Sequence, residues 1–526
     1  VSTELSVRTE SLGGSALSRA ARAGELSDWY RPIPRGDEWR AYLSEVRASV
    51  SANWYEDLAP AFQARGPAAE RLQRSAGGKG IVVTTGQQPG LFGGPLMTFI
   101  KALSALALAD SLQDTFGIPV APVFWAATDD ADFDEASVVS VALEGQARAL
   151  RLTQRPDAGT PMANAPLSGA DLDVLSRTLR EASGSASHSS YLEQAFSAYR
   201  EGATVGSAYV TLLRELLEPL GIAVVDSSHS AVRGTSSSVL LRAAKGATAI
   251  AAAVHDRGEE IVARGFHPQV EEVEGLSLVF SNAGGTKRRL TIAEAEEFSG
   301  RDDFLSPTVL LRPVMERCIL PTAAYLGGPG EVAYFAQANA VATALSAPTP
   351  LVLPRWSATI IEPRVARILE EFSAGVDDLV DPHAFETRVA RASLPKDAEQ
   401  ALRSLRTDLV ANIDALRRAN GGVVPEPVLD GLRRDVDHKL DRLERRFVAG
   451  VKRRETDVTR RIATARASLF PHGARQERRL SYVVFFARYG ASLIDMMRAA
   501  AGTHARSLIG GAPSLAPSSA SAPAKV

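Results

Sequence analysis

The sequence predicts an α/β fold built on a parallel sheet, and three observations predict it. A short apolar run at 81–85 reads as a buried strand, and a glycine-rich turn and an apolar helix over about 96–112 follow it. A second strand, at 120–128, ends in acidic residues. Strand, helix and strand in this order imply parallel pairing through a right-handed crossover. Far downstream, leucines at spacings of three and four imply a helical hairpin of coiled-coil type.

At 526 residues the chain is too long for one simple core, given roughly 100–200 residues per domain. Residues 1–80 read as a helical segment packing on the core, because Trp39, Tyr42, Leu43 and Val46, then Trp54, Tyr55, Leu58 and Phe62, recur at helical spacing. Gly77, Gly78, Lys79 and Gly80 end it. The core occupies 81–395, with further strands at 222–226, 323–326 and 351–361. Two more polar stretches, about 143–203 and 233–306, read as insertions into it. The hairpin spans 396–470: Leu402 to Leu416 form one arm, Gly421, Gly422 and Pro425 interrupt, and Leu429 to Val451 form the other. Residues 471–509 return to the core. Residues 510–526, rich in Ala, Ser and Pro, read as a disordered tail.

Composition excludes several classes of function. With 45% hydrophobic and 23% charged residues and a net charge of -2, no global field selects nucleic acid or an anionic membrane. The basic groups at 445–446 and 452–454 read as a solvated coiled-coil face, because no aromatics interleave to stack on bases. The apolar stretch near 102–109 is short of the roughly 20 residues of a membrane span, and residues 1–10 carry charges but no apolar run. One cysteine, Cys318, excludes an intramolecular disulfide and fits a reducing, cytoplasmic setting. Scattered histidines and the lone cysteine give no metal-ligand spacing, so no metal site is expected.

Chemistry is expected in three segments. In the first, Gly86, Gln87 and Gln88 open a turn between a strand and a helix, where free N–H groups favour a phosphate or carboxylate. In the second, five carboxylates fall within residues 129–135, beyond the end of a strand where α/β sheets bind ligands. Of these, Asp129, Asp130 and Asp132 are read as catalytic, and Asp134 and Glu135 as a helix cap. The third carries Arg312, then Gly327, Gly328, Gly330 and Glu331 between a strand and a helix, with Arg355 beyond. The arginines can clamp a carboxylate or form a salt bridge, and Glu331 can cap its helix or bind an amine or hydroxyl.

These segments resemble the bacillithiol cysteine-adding family. The match lies in Thr85 through Pro95, in Pro122 to Trp125 with the acids at 132–135, and in Leu320 through Glu331. Leu469 to Gly473 with Gln476 to Arg478 resembles a further family segment. The resemblance implies a Rossmann-like core and a coiled coil that supports a homodimer. It also implies the activity: a ligase adding L-cysteine to glucosaminyl-malate by an amide bond, in the last step of bacillithiol biosynthesis. A nucleotide such as ATP is implied, activating the carboxylate as an acyl-adenylate or acyl-phosphate. The family usually carries a His between the second and third acids, where this chain has Ala131. Two other readings of the same fold stay open: a nucleotide-dependent transferase acting on another amine, and a non-catalytic coiled-coil protein that binds a ligand.

Overall fold

Five short strands rich in β-branched and aromatic residues lie side by side, all parallel, in the order Val352–Pro354, Thr322–Gly327, Ile81–Gln87, Val120–Ala126, Ala223–Asp226. The computed structural model describes residues 4–78, 80–300, 303–454 and 456–510. Lys79, the tail from 511 onward and the side chains of the 452–454 basic group therefore lie outside the described residues. Of these five strands, the one that comes first in the chain, Ile81–Gln87, is central. The chain next builds outward on one side of it and only later on the other. That reversal makes a crevice at the carboxyl ends of Ile81–Gln87 and Thr322–Gly327, the place where such sheets receive ligands.

Side chains alternate across this sheet. Val82, Val123, Trp125 and Val225 face one core, shared with Trp54, Leu58 and Phe62 of the N-terminal helices and with Val239, Leu240 and Ile250. Helix Leu96–Phe116 packs against strands Ile81–Gln87 and Val120–Ala126. From Leu96 to Ala109 it is mostly apolar on every side and is buried on every side, and only its last turns reach the surface. It is longer than its sequence pattern suggested, and by length and composition it is the one described helix able to cross a membrane. Here it is a core helix. Phe99 packs edge-on to Phe486 of helix Tyr482–Ile509, with ring centroids 4.6 Å apart.

The stretches read as insertions are regular. The first includes helices Gly169–Ser183 and Ser190–Ala198. The second carries helix Ala247–Ala263 and an antiparallel sheet in the order Arg288–Thr291, Leu276–Ser281, Leu305–Pro307. The strand expected over 351–361 is two strands: Val352–Pro354 lies in the core sheet and Ala358–Ile361 outside it. Pro354 lacks a ladder N–H, and the residues after it turn inward.

Among them is Arg355, read from sequence as a substrate clamp. The structure corrects that reading. Arg355 is 1% exposed, and its guanidinium pairs in fork geometry with Glu477 at 2.9 and 2.7 Å. Its carboxylate partner is internal and ties 476–510 to the edge of the sheet.

Among the described residues, a second compact unit comprises 4–6, 142–147 and the run between 361 and 475. Its helices start at Pro363, where the sequence reading placed the change at 396. Helices Pro363–Glu371 and Pro382–Ala392 belong to it because Val365, Leu369, Phe385 and Val389 pack with Ile462 and Leu469. The hairpin consists of Lys396–Ala419 and Glu426–Arg454, turning through Gly421 and Gly422, both at positive φ. Arg406 bonds Asp441 at 2.6 Å and Arg433 bonds Asp414 at 3.3 Å across the two arms.

Glu477→Ala leaves Arg355 charged and buried without a counter-charge, bonded only to the Trp356 carbonyl. The expected loss is about 3–5 kcal/mol in urea unfolding followed by tryptophan fluorescence. Arg355→Met with Glu477→Leu is expected to recover most of it. Burial pushes the Glu477 carboxyl up, but Arg355 outweighs burial and holds it below its ordinary range. The stability from this pair is therefore complete above the ordinary carboxylate range and is lost as pH falls through the depressed folded value. A stability curve flat from neutral pH down through that range in the wild type, or equal stability in Glu477→Ala, would contradict this assignment.

Candidate functional site

The crevice at the strand ends opens into a cavity of about 610 Å³. Its lining includes Gly86, Gln87, Gln88, Asp129, Asp130, Arg312, Gly328, Gly330 and Glu331, so most of the residues picked from sequence meet in one place. Gly327, Asp132 and Arg355 are not part of the lining.

One side chain that the sequence reading passed over organises this site. Lys101 lies in the apolar helix Leu96–Phe116 and is 2% exposed. Its ammonium donates to the Gly86 carbonyl at 2.7 Å and to Gln87 Oε1 at 2.9 Å, and it pairs with Glu331 Oε2 at 2.6 Å. Glu331 also accepts from the Gly328 N–H at 2.7 Å and from the Tyr325 hydroxyl at 2.5 Å. It therefore caps helix Pro329–Ala344 and answers Lys101 at once. Burial pushes the Glu331 carboxyl up, and Lys101 and the other donors reverse that, so it stays ionised. Burial pulls Lys101 below the usual ammonium range, and Glu331 opposes it. Arg312 extends the network to Glu316 at 2.8 Å and to the hydroxyls of Tyr325 and Tyr334 at 3.2 and 3.1 Å. It is a buried hub, not a surface salt bridge. The signal for Lys101 was present in the sequence: one cation inside an otherwise apolar helix must meet a counter-charge.

The acids separate into distinct roles. Asp129 pairs with Lys287 at 3.2 Å and accepts from the Ser227 hydroxyl at 2.5 Å. Burial pushes its carboxyl up, but Lys287 and Ser227 outweigh it and hold Asp129 below the ordinary range. Asp130 faces the cavity and accepts from the Gln88 amide at 2.6 Å. Asp132 is the N-cap of the short helix Phe133–Ala136, accepting from the Glu135 N–H at 3.1 Å. The cap assigned from sequence to Asp134 and Glu135 thus falls to Asp132, and Glu135 lines the cavity with the Gln87 amide 3.2 Å away. Loss of water, then the charges of Asp132 and Asp130, push the Glu135 carboxyl up. Ala131 lines the cavity between these groups.

The two glycine turns differ. In the first, the Gly93 N–H donates to the Tyr199 hydroxyl at 3.1 Å, that hydroxyl donates to the Gly90 carbonyl at 2.5 Å, and the Leu96 N–H donates to the Leu480 carbonyl at 2.8 Å. Gly93 has φ of +81°, and a Cβ there would lie 1.9 Å from the Tyr482 hydroxyl. This part is a packing turn, and only Gly86, Gln87 and Gln88 reach the ligand space. In the second, Gly327 is closed by packing, with a Cβ meeting Glu331 at 3.0 Å. Gly328 and Gly330 line the cavity at the start of a 16-residue helix. Cys318 is away from the cavity lining, its thiol pushed up by burial.

Residues 37–305 and 295–356 match the family described as bacillithiol biosynthesis BshC, N-terminal Rossmann-like domain, and residues 358–506 match its C-terminal coiled-coil domain. Similar proteins named "Putative cysteine ligase BshC" come from Koribacter versatilis, 31% identical over 92% of this chain and 94% of that protein, and from Solibacter usitatus, 29% identical over 88% and 92%. A third, from Symbiobacterium thermophilum, is 28% identical over 92% and 96%. With both domain patterns matched in chain order on a Rossmann-like sheet and a helical hairpin, this chain belongs to the bacillithiol biosynthesis BshC family, a family of ligases.

Proposed function

We propose that the cavity joins the carboxyl carbon of L-cysteine to the amine of glucosaminyl-malate, the last step of bacillithiol assembly in the cytoplasm. A nucleotide such as ATP supplies the activation that a carboxylate needs before an amine displaces its oxygen. The observation that carries this reading is the pair Asp130 and Glu135, two cavity-facing carboxylates steadied by the amides of Gln88 and Gln87. Carboxylates gathered at a strand end attract an ammonium group and then take its proton as the amine attacks. Glu135 suits the second duty, because a raised carboxyl is a stronger base at working pH. That assigns the proton to Glu135 in a chain whose neighbouring Ala131 has no titratable group. Elsewhere in the lining, the Gly330 N–H in the first turn of Pro329–Ala344 and the Arg312 network suit an anionic group, either a carboxylate or a phosphate.

The assay combines the purified chain with cysteine, glucosaminyl-malate and ATP and detects product by mass. Asp130→Asn and Glu135→Gln are each expected to lower turnover by about 100-fold or more. Asp132→Asn is expected to retain turnover and to cost at most about 1 kcal/mol of stability, as a changed N-cap does. The acidic limb of the pH–rate profile is expected above the ordinary carboxylate range, with rate rising as Glu135 loses its proton, and to vanish in Glu135→Gln. Near-full turnover in both Asp130→Asn and Glu135→Gln would place the chemistry elsewhere.

We also propose that the hairpin forms a homodimer. Leu405 and Leu416 on one arm, and Leu432, Leu443 and Phe447 on the other, are exposed large hydrophobic side chains. Separations of 11 and 4 residues place each set on one helix face, leaving an apolar strip for a second copy. Leu416→Glu combined with Phe447→Glu is expected to give a folded monomer by light scattering. A wild-type chain that is monomeric at micromolar concentration would refute the dimer.

A further inference from the structure

One wall of the cavity is the antiparallel sheet of the second insertion, which meets the acids where Lys287 pairs with Asp129. Along Leu276–Ser281, Leu276, Leu278 and Phe280 line the cavity, while Val279 points into the core. Arg289 stands directly across from Phe280 in the strand register, so the two share the cavity face. Lys287, two residues earlier, lies on the same face, its ammonium 4.7 Å from the centre of the Phe280 ring. Arg288 between them points away and pairs with Glu294 at 3.1 Å. Alternation along one strand has thus placed two cations on an apolar wall.

The cations of this cavity are not equivalent. Lys101 is answered by Glu331, Arg312 by Glu316 and Lys287 by Asp129, and Arg478, also in the lining, acts on its neighbour Glu477. Arg289 donates its Nε–H to the Ser277 carbonyl at 2.7 Å, and no described carboxylate forms an ion pair with it. That one bond fixes the guanidinium plane and leaves its outer edge for a ligand. A guanidinium held this way suits a planar carboxylate, which it can grip with two parallel hydrogen bonds.

We infer that Arg289 holds a carboxylate of the amine-bearing acceptor and so selects an acceptor that carries one. The inference rests on the ligase reading above and deepens it. Lys287 serves as a ruler, because its ammonium touches Asp129, next in the chain to the Asp130 proposed to receive the amine. Arg289 lies two residues along the strand, about 7 Å further. That separation matches a small molecule with an ammonium at one end and a carboxylate at the other, as in an amino sugar bearing malate. A phosphate of the nucleotide carries the same kind of charge, but the Gly330 N–H at a helix start in the same lining already offers it a donor.

The test compares two acceptors, glucosaminyl-malate and methyl glucosaminide, which has the amine and no carboxylate. Arg289→Gln is expected to raise KM for glucosaminyl-malate by about 10- to 100-fold, the worth of a charge-assisted hydrogen bond. KM values for methyl glucosaminide, cysteine and ATP are expected to stay in place. Arg289→Lys, which keeps charge but loses the fork, is expected to recover part of the loss and guards against misfolding of the Gln variant. Equal shifts for both acceptors, a shift that falls on ATP instead, or no shift at all would each overturn the assignment. Calorimetry of glucosaminyl-malate and of L-malate with the full chain needs no turnover. If wild type binds them, Arg289→Gln does not, and no product forms with any acceptor, the carboxylate site stands and the ligase reading falls. If product forms with no preference for the malate-bearing acceptor, the ligase reading stands and this inference falls.

Discussion

A lysine buried in an apolar helix is the constraint on which the site depends. Removing an ammonium from water is costly, and the cost is offset only when every donor finds an acceptor in good geometry. Lys101 finds three: the carbonyl of Gly86, the side-chain oxygen of Gln87 and the carboxylate of Glu331. The first two belong to the end of strand Ile81–Gln87, and the third to the helix after Thr322–Gly327. One charge therefore fixes the two strand ends that form the crevice. Glu331 in turn holds the Gly328 N–H, so the second glycine turn takes its shape from the same ion pair.

Around that pair the cavity is a set of charges answered in different ways. Glu331 and Asp129 are carboxylates that burial alone would neutralise, and a neighbouring lysine keeps each ionised. Asp130 and Glu135 are steadied by neutral amides, which fix their position without cancelling their charge. Structural acids are thus paired with cations, and the acids free to meet a ligand are paired with amides. The same distinction separates Arg355, consumed by Glu477, from Arg289, bonded only to a backbone carbonyl.

Much of this was legible in the sequence, and what was not has identifiable causes. The strand–turn–helix–strand unit and the hairpin were visible because burial imposes a period on the side chains, and that period survives in the sequence. The clustering of Gly86, Asp130, Arg312 and Gly330 could be anticipated because parallel strands bring their carboxyl ends together. The division of labour among the acids depends on which carboxylates meet partners from distant segments, Lys287 for Asp129 and Ser227 beside it. Lys287 and Arg289 were missed because they arise in a stretch whose polarity resembled a surface excursion. Its alternation along Leu276–Ser281 marked a strand with one face in the core. Asp132 was misassigned although Asp132 and Glu135 stand at the three-residue spacing of a capping box, a local signal outweighed by the attraction of a dense acidic cluster.

The first glycine turn shows why a motif can be shared for reasons other than the ligand. Its glycines suggested a phosphate cradle, yet Gly93 is required by the Tyr482 hydroxyl, and the N–H groups of Gly93, Gly94 and Leu96 are answered within the protein. The aromatic residues that close it come from helix Tyr482–Ile509 and from Tyr199, far along the chain. The turn is therefore a docking point for the C-terminal segment, and its rigidity is passed one step back to Gln87 and Gln88. A rigid turn directly after two amide side chains holds those amides against Glu135 and Asp130, which a solvated loop would not do. In this turn Gly90, Gly93 and Gly94 act through the residues they position, and the cavity face is left to Gly86 and to the amides of Gln87 and Gln88.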